Sequence, residues 1–187
     1  MFIQTESTPN PNTLKFLPGR AVMGEAAVAD FANKEAGNRS PLAHALFETP
    51  GVTRVFFGSD FISVTKSDAE EWQHLKPAIL GLVMEHFTKN LPLLSSNAEE
   101  TDDANYGEAD PEIVAQIKEL IETRVRPAVA QDGGDIVYKG FDGSSGTVFL
   151  HMRGSCAGCP SSALTLKNGI ENMLRHYVPE VTAVEQV

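Results

Sequence analysis

Cysteine is almost absent from this sequence of 187 residues: there are 2, beside 1 tryptophan and 3 tyrosines. Both thiols, Cys156 and Cys159, fall in one stretch, RGSCAGCPSS at 153–162. Two cysteines three positions apart make a poor disulfide framework, and a reducing cytoplasm fits best. Long apolar runs are missing too. The longest, AILGLVM at 78–84, is about seven residues, far short of the roughly 20 a membrane-spanning helix needs. The opening MFIQTESTPNPN has no basic region leading into an apolar stretch, and it is not an Arg-rich amphipathic presequence. Positive charge is in short supply, with a net charge of −10. No basic footprint for nucleic acid is left, so neither nucleic acid nor membrane is expected as a partner.

The acidic excess is local. Residues 1–96 carry 8 basic and 10 acidic side chains, and residues 111–187 carry 7 and 9. The remainder lies in NAEETDDANYGEAD at 97–110, which has no basic residue and no aliphatic residue larger than Ala. Like charges repel and extend such a segment, so it reads as a linker. The expected organisation is a domain over 1–96, a linker over 97–110 and a second domain over 111–187.

Apolar residues make up 42% of the chain and charged residues 21%, an ordinary globular mix. In the first half, NTLKFL reads as a strand, VADFANKE and SPLAHALFE as helices, and TRVFFGSDFISVTK as a hairpin. AEEWQHLKPAILGLVMEHFTKN is helical, with Trp72, Leu75, Ile79, Val83 and His86 at helical spacing, and Pro77 is expected to kink or interrupt it. In the second half, Asp110 is a good N-cap and Pro111 a good first helical residue. Ile113, Ile117, Leu120 and Ile121 share one face of a helix that should end near Arg126, before Pro127. QDGGD at 131–135 is a turn and IVYKGF at 136–141 a strand. In TVFLHM at 147–152, Val148, Leu150 and Met152 alternate with Thr147, Phe149 and His151, marking a strand with one buried face. A helix follows from about Pro160 to His176, with Ala163, Leu166, Ile170, Met173, Leu174 and Tyr177 on one stripe, and VTAVEQV closes the chain as a short strand. The expected fold class is α+β: two small domains, the second in the order α-β-β-α-β, with helices on one sheet face and the C-x-x-C loop between strand and helix.

Cys159 precedes Pro160 at the start of a helix, where free N–H groups and the positive dipole end favour a thiolate. Gly154, Ala157 and Gly158 leave room for a bulky inorganic group, and both sulfurs are expected near the surface on one side. Three readings fit the pair. A dithiol can cycle with a disulfide, although the β-α-β lead-in of thioredoxin-like motifs is missing. Structural zinc wants four ligands in a closed site. An iron–sulfur cluster wants four thiolates, and two chains related by a two-fold axis supply them. Spacing alone leaves these three open.

Other candidates have plainer explanations. Asp132 and Asp135 in QDGGD suggest a metal, but a backbone turn needing positive φ at Gly133 or Gly134 accounts for the motif. TPNPN reads as turn structure leading into a strand. His44, His74, His86, His151 and His176 are scattered and read as ordinary surface or half-buried histidines. Arg153 and Lys167 flank the cysteine loop and either offset the charge of a bound cluster or are simply solvated.

Two longer stretches go further. ESTPNPNTLKF at 6–16 resembles the opening of the Nfu amino-terminal domain, while VRPAVAQDGGDIVY at 125–138 and GSCAGCPSSALTLKNGIENML at 154–174 are similar to the NifU carboxy-terminal domain. The chain has neither the cysteine-rich central domain nor the scaffold domain of full-length NifU. The resemblance implies an iron–sulfur cluster scaffold or carrier and no enzyme. It implies a 4Fe–4S cluster, with 2Fe–2S as the other form, bridging a homodimer through Cys156 and Cys159 and passing to apo-protein clients. Upstream cluster-assembly proteins would supply it, and the cysteine-free amino-terminal domain would recognise clients or only stabilise the carrier. Because the domain motif starts almost at residue 1, a bacterial cytoplasmic location is expected, a mature mitochondrial form being the alternative.

Overall fold

The computed structural model describes residues 1–24, 27–95, 109–157 and 160–187, the side chains of 160–163 excepted. The chain divides into two compact units, Met1–Glu100 and Thr101–Val187, each with its own apolar core. Both are α+β.

The first unit carries strands β1 (Gln4–Ser7), β2 (Thr13–Leu17), β3 (Ala29–Phe31), β4 (Val52–Phe57) and β5 (Ile62–Lys66). They form one antiparallel sheet in the order β1-β2-β5-β4-β3. Helices α1 (Lys34–Gly37), α2 (Pro41–Phe47) and α3 (Trp72–Thr88) complete the unit. The core joins Phe16, Phe57, Ile62 and Val64 of the sheet to Leu42 and Leu46 of α2 and to Leu75, Ile79 and Val83 of α3. Ser40 caps α2 as expected, its Oγ accepting from the Ala43 N–H at 3.1 Å. The TPNPN segment is a turn: Thr8 Oγ1 donates to the Thr13 carbonyl, and Asn10 Oδ1 accepts from the Asn12 N–H.

Three expectations for this unit are corrected. VADFANKE is not one helix, because Ala29–Phe31 pairs with β4 and only Lys34–Gly37 is helical. Burial of Phe31 edge-on against Phe57, with ring centroids 5.0 Å apart, outweighs local helix propensity. Pro77 does not interrupt α3, which runs unbroken through it. Pro77 and Gln73 are both exposed, so the Gln73 carbonyl that loses its intrahelical donor faces water. His86 is neither on the surface nor half-buried: it is 4% exposed, its Nε2 has no hydrogen-bond partner among the described residues, and burial lowers its pKa. Strand β1 went unread, since its mostly exposed QTES sequence has no apolar alternation and only pairing to β2 makes it a strand.

The second unit opens with α4 (Pro111–Leu120), capped by Asp110 Oδ1, which accepts from the Glu112 N–H at 2.9 Å. The helix does not end near Arg126. A π-type segment, Ile121–Val125, carries it into α5 (Arg126–Gln131). There the Arg126 N–H donates to the Ile121 carbonyl, five residues back. This widened turn falls just before Pro127, and Pro127 sits in the first turn of α5, where its missing N–H is tolerated. Strands β6 (Gly134–Asp142), β7 (Thr147–Gly154) and β8 (Ala183–Gln186) form a sheet with β7 in the centre, antiparallel to β6 and parallel to β8. Helix α6 (Pro160–Tyr177) makes the crossover from β7 to β8. As the alternation in TVFLHM predicts, Val148, Leu150 and Met152 are buried, joined in one core by Ile117, Ile121, Val125 and Val129 and by Ile170 and Leu174 of α6.

Candidate functional site

The site forms where β7 ends and the chain turns towards α6. The turn before β6 must be read with it, because residues 132–134 and 155–156 touch. Gly133 adopts φ +81°, a conformation only glycine takes without strain, and it brings the chain sharply from α5 into β6. Gly134 has a different role, which is room. A Cβ there would lie 2.7 Å from the Arg153 carbonyl oxygen and 2.9 Å from Cys156 Sγ. The GG pair thus makes one bend and one bare wall, and Cys156 rests on the wall.

Ser155, Cys156 and Ala157 form a single 3₁₀ turn. The Ser155 N–H donates to the Gly133 carbonyl at 3.3 Å and its Oγ to the Asp132 carbonyl, so its amide and its hydroxyl both tie the turn to QDGGD. Ser155 Oγ also lies 3.9 Å from Cys156 Sγ. Cys156 is free, 6% exposed and part of the apolar core. This corrects the expectation of a thiolate near the surface. Burial pushes the Cys156 thiol up to about 11, and Asp132 and Asp135 push the same way against the Ser155 hydroxyl, so it is neutral at neutral pH. Binding a metal reverses that preference, because a coordinated thiol is held deprotonated. Cys159 lies outside the described residues, as does the reading of its helix-start environment.

Asp135 is not a metal ligand in waiting. Its carboxylate, 5% exposed, is held by Arg126 through two parallel bonds, Nε to Oδ1 at 2.8 Å and an NH2 nitrogen to Oδ2 at 2.9 Å. The other guanidinium edge meets Glu122 at 2.9 and 3.0 Å. These carboxylates raise the Arg126 pKa further. Sequence reading missed the pair, though an Arg at the start of a helical turn and an Asp at the start of the next strand is a signal that could have shown it. Among the described residues no cluster of three or more His, Cys, Asp or Glu is placed to hold a metal ion.

The flanking residues are only partly gathered. Arg153 is buried at the end of β7, opposite Asp135 in the strand register, and Lys167 is half-buried on α6. His151 turns away from the loop, its Nδ1 lying 2.7 Å from the Val187 carbonyl oxygen. His44, His74 and His176 are exposed.

Residues 3–90 match the family model described as scaffold protein Nfu/NifU N terminal, and residues 117–185 match the NifU-like domain. An Arabidopsis thaliana protein named NifU-like protein 4, mitochondrial, is 57% identical over the full chain, which covers 66% of that relative. A Homo sapiens protein named NFU1 iron-sulfur cluster scaffold homolog, mitochondrial, is 54% identical over the full chain, which covers 72% of it. A solved NifU-like protein from Saccharomyces cerevisiae superposes with a TM-score of 0.46 at 29% identity, over 52% of this chain and 87% of that one. The expected bacterial cytoplasmic location is corrected by these relatives, whose names place them in mitochondria and point there for this chain. The physical reason is that cellular address is not written in the packing of folded domains. With both domain models matched in order and relatives more than half identical from end to end, the chain belongs to the Nfu family of NifU-domain proteins.

Proposed function

We propose that the chain is an iron–sulfur cluster scaffold or carrier rather than an enzyme, with Cys156 and Cys159 as its cluster ligands. The observation that carries this reading is that the NifU-like match over 117–185 contains the two cysteines of the sequence, in a family with a relative named an iron–sulfur cluster scaffold. Sulfur donors suit iron–sulfur clusters, and such a cluster takes four thiolates. One chain has two, so a homodimer about a two-fold axis completes a 4Fe–4S cluster at the interface, as cargo shared between copies.

Release proceeds by ligand exchange. A client thiolate bonds an iron as the bond from that iron to Cys156 or Cys159 breaks, and the departing sulfur takes up a proton. Iron keeps its oxidation state and the dimer opens as the cargo leaves. The high proton affinity of buried Cys156 supports this direction, since a sulfur that returns to the core is stabilised as the thiol. Residues 111–187 form the cluster-binding domain, 97–110 the acidic linker, and 1–96 a domain for client or partner recognition.

Anaerobic native mass spectrometry after reconstitution with iron and sulfide tests the reading. The expected species is a dimer carrying one four-iron, four-sulfide unit. Cys156→Ser and Cys159→Ser should each abolish it while leaving the far-ultraviolet circular dichroism unchanged. A metal-free monomer that changes only by two hydrogens on oxidation would overturn the carrier reading in favour of a dithiol oxidoreductase.

A further inference from the structure

The Arg126–Asp135 ion pair takes no part in the ligand exchange above, yet it closes the turn on which Cys156 rests. Arg126 stands at the start of α5 and Asp135 directly follows Gly134 in β6, so their two parallel bonds bracket the whole segment 127–134. Glu122 grips the other guanidinium edge from within the π-type segment, which leaves the guanidinium one orientation. Everything that seats Cys156 from this side lies inside the bracket: the Asp132 and Gly133 carbonyls that hold Ser155, and the bare Gly134 wall. Stability alone is a weak explanation for such a pair, because a buried ion pair is often matched or bettered by apolar side chains of similar volume. What a bidentate pair adds is a fixed direction.

We propose that Arg126 and Asp135 are the positioning residues of the cysteine site: their ion pair holds the α5–β6 turn in the shape that keeps Cys156 seated and shielded until a cluster takes it. The consequence for cargo rests on the ligand reading above; the seating itself does not.

The test uses the full chain carrying Cys159→Ser, so that Cys156 is the one thiol, and measures its alkylation rate by N-ethylmaleimide across pH, so that the thiolate gained by losing the Asp135 charge is separated from a gain in access. Asp135→Asn, nearly isosteric, and the paired replacement Arg126→Met with Asp135→Leu, which restores apolar packing should the first variant fold poorly, are each expected to speed alkylation at least tenfold. Arg126→Lys should fall between, because an ammonium cannot make both parallel bonds. Val184→Ala is the control for general loosening. Val184 pairs with Val148 near the far end of β7 from Cys156, and it should lower the melting temperature with little change in rate. Unchanged alkylation in both pair variants, or an equal acceleration by Val184→Ala, would overturn the proposal. Iron loading of Cys156→Ser, with Cys159 restored, is read separately: full loading there sinks the ligand assignment and leaves the alkylation result standing.

Discussion

Single side chains in this protein carry consequences that depend on burial more than on residue type. Cys156 is the clearest case, a residue whose reactivity depends on thiolate fraction and access and which the core withdraws from both. His86 is a second. Burial in the first unit depresses its pKa below 6.5, so the folded chain refuses a proton that the unfolded chain accepts. The unfolded state therefore binds more protons at acid pH, and stability present above about pH 6.5 is lost as pH falls through the depressed value. The first unit should lose melting temperature between pH 7.5 and pH 5.5. His86→Leu should flatten that part of the profile, and a variant with the same acid slope as the parent would remove His86 as its source.

At the scale of elements, both helix-internal prolines are tolerated, for different reasons. Pro127 follows a π-type turn and sits in the first turn of α5, so little is lost there. Pro77 lies inside α3 with no such adjustment, and exposure only softens the cost. Pro77→Ala should therefore stabilise the first unit by about 2 kcal/mol, the helix-interior penalty of proline less the entropy an unfolded chain regains without it. Denaturant titration checks this, and no rise in the midpoint would mean the helix is already relaxed around Pro77. The strands show the converse dependence. β7 is evident from its alternation, whereas β1 and β3 exist through their partners: Gln4 to Ser7 pair with Leu17 to Leu14, and Ala29 to Phe31 with Phe57 to Val55.

For the whole molecule, two separate apolar cores imply two units able to stand alone. Residues 111–187 should fold cooperatively by themselves and, on the proposed function, take up the same iron and sulfide per dimer as the full chain. That is checked by chemical iron and acid-labile sulfide assay after reconstitution. A fragment that folds but does not load would give the first unit a direct part in cluster binding. A fragment of 77 residues lies in the size range where a single core is marginal, so a lower melting temperature than in the full chain is expected.

Much of this was legible from local chemistry. Asp110 before Pro111 and Ser40 before Pro41 set helix starts, because a cap is satisfied within three residues. The buried face of β7 follows from its period of two, and the α-β-β-α-β order from the succession of such patterns. The thiol pair stood out by its rarity, and the longer motifs around it pointed to the family. What only the tertiary structure decided are matters of partners distant in the chain. Asp135 looked like a turn residue or a metal ligand until Arg126, nine residues earlier, was placed against it. The GG pair gave no hint that one glycine serves the bend and the other serves Cys156, 22 residues away. The burial of Cys156 itself, and with it the protonation of its thiol, arises only when the turn before β6 closes over the end of β7. Local sequence specifies backbone conformation, whereas desolvation is a property of everything packed around a group.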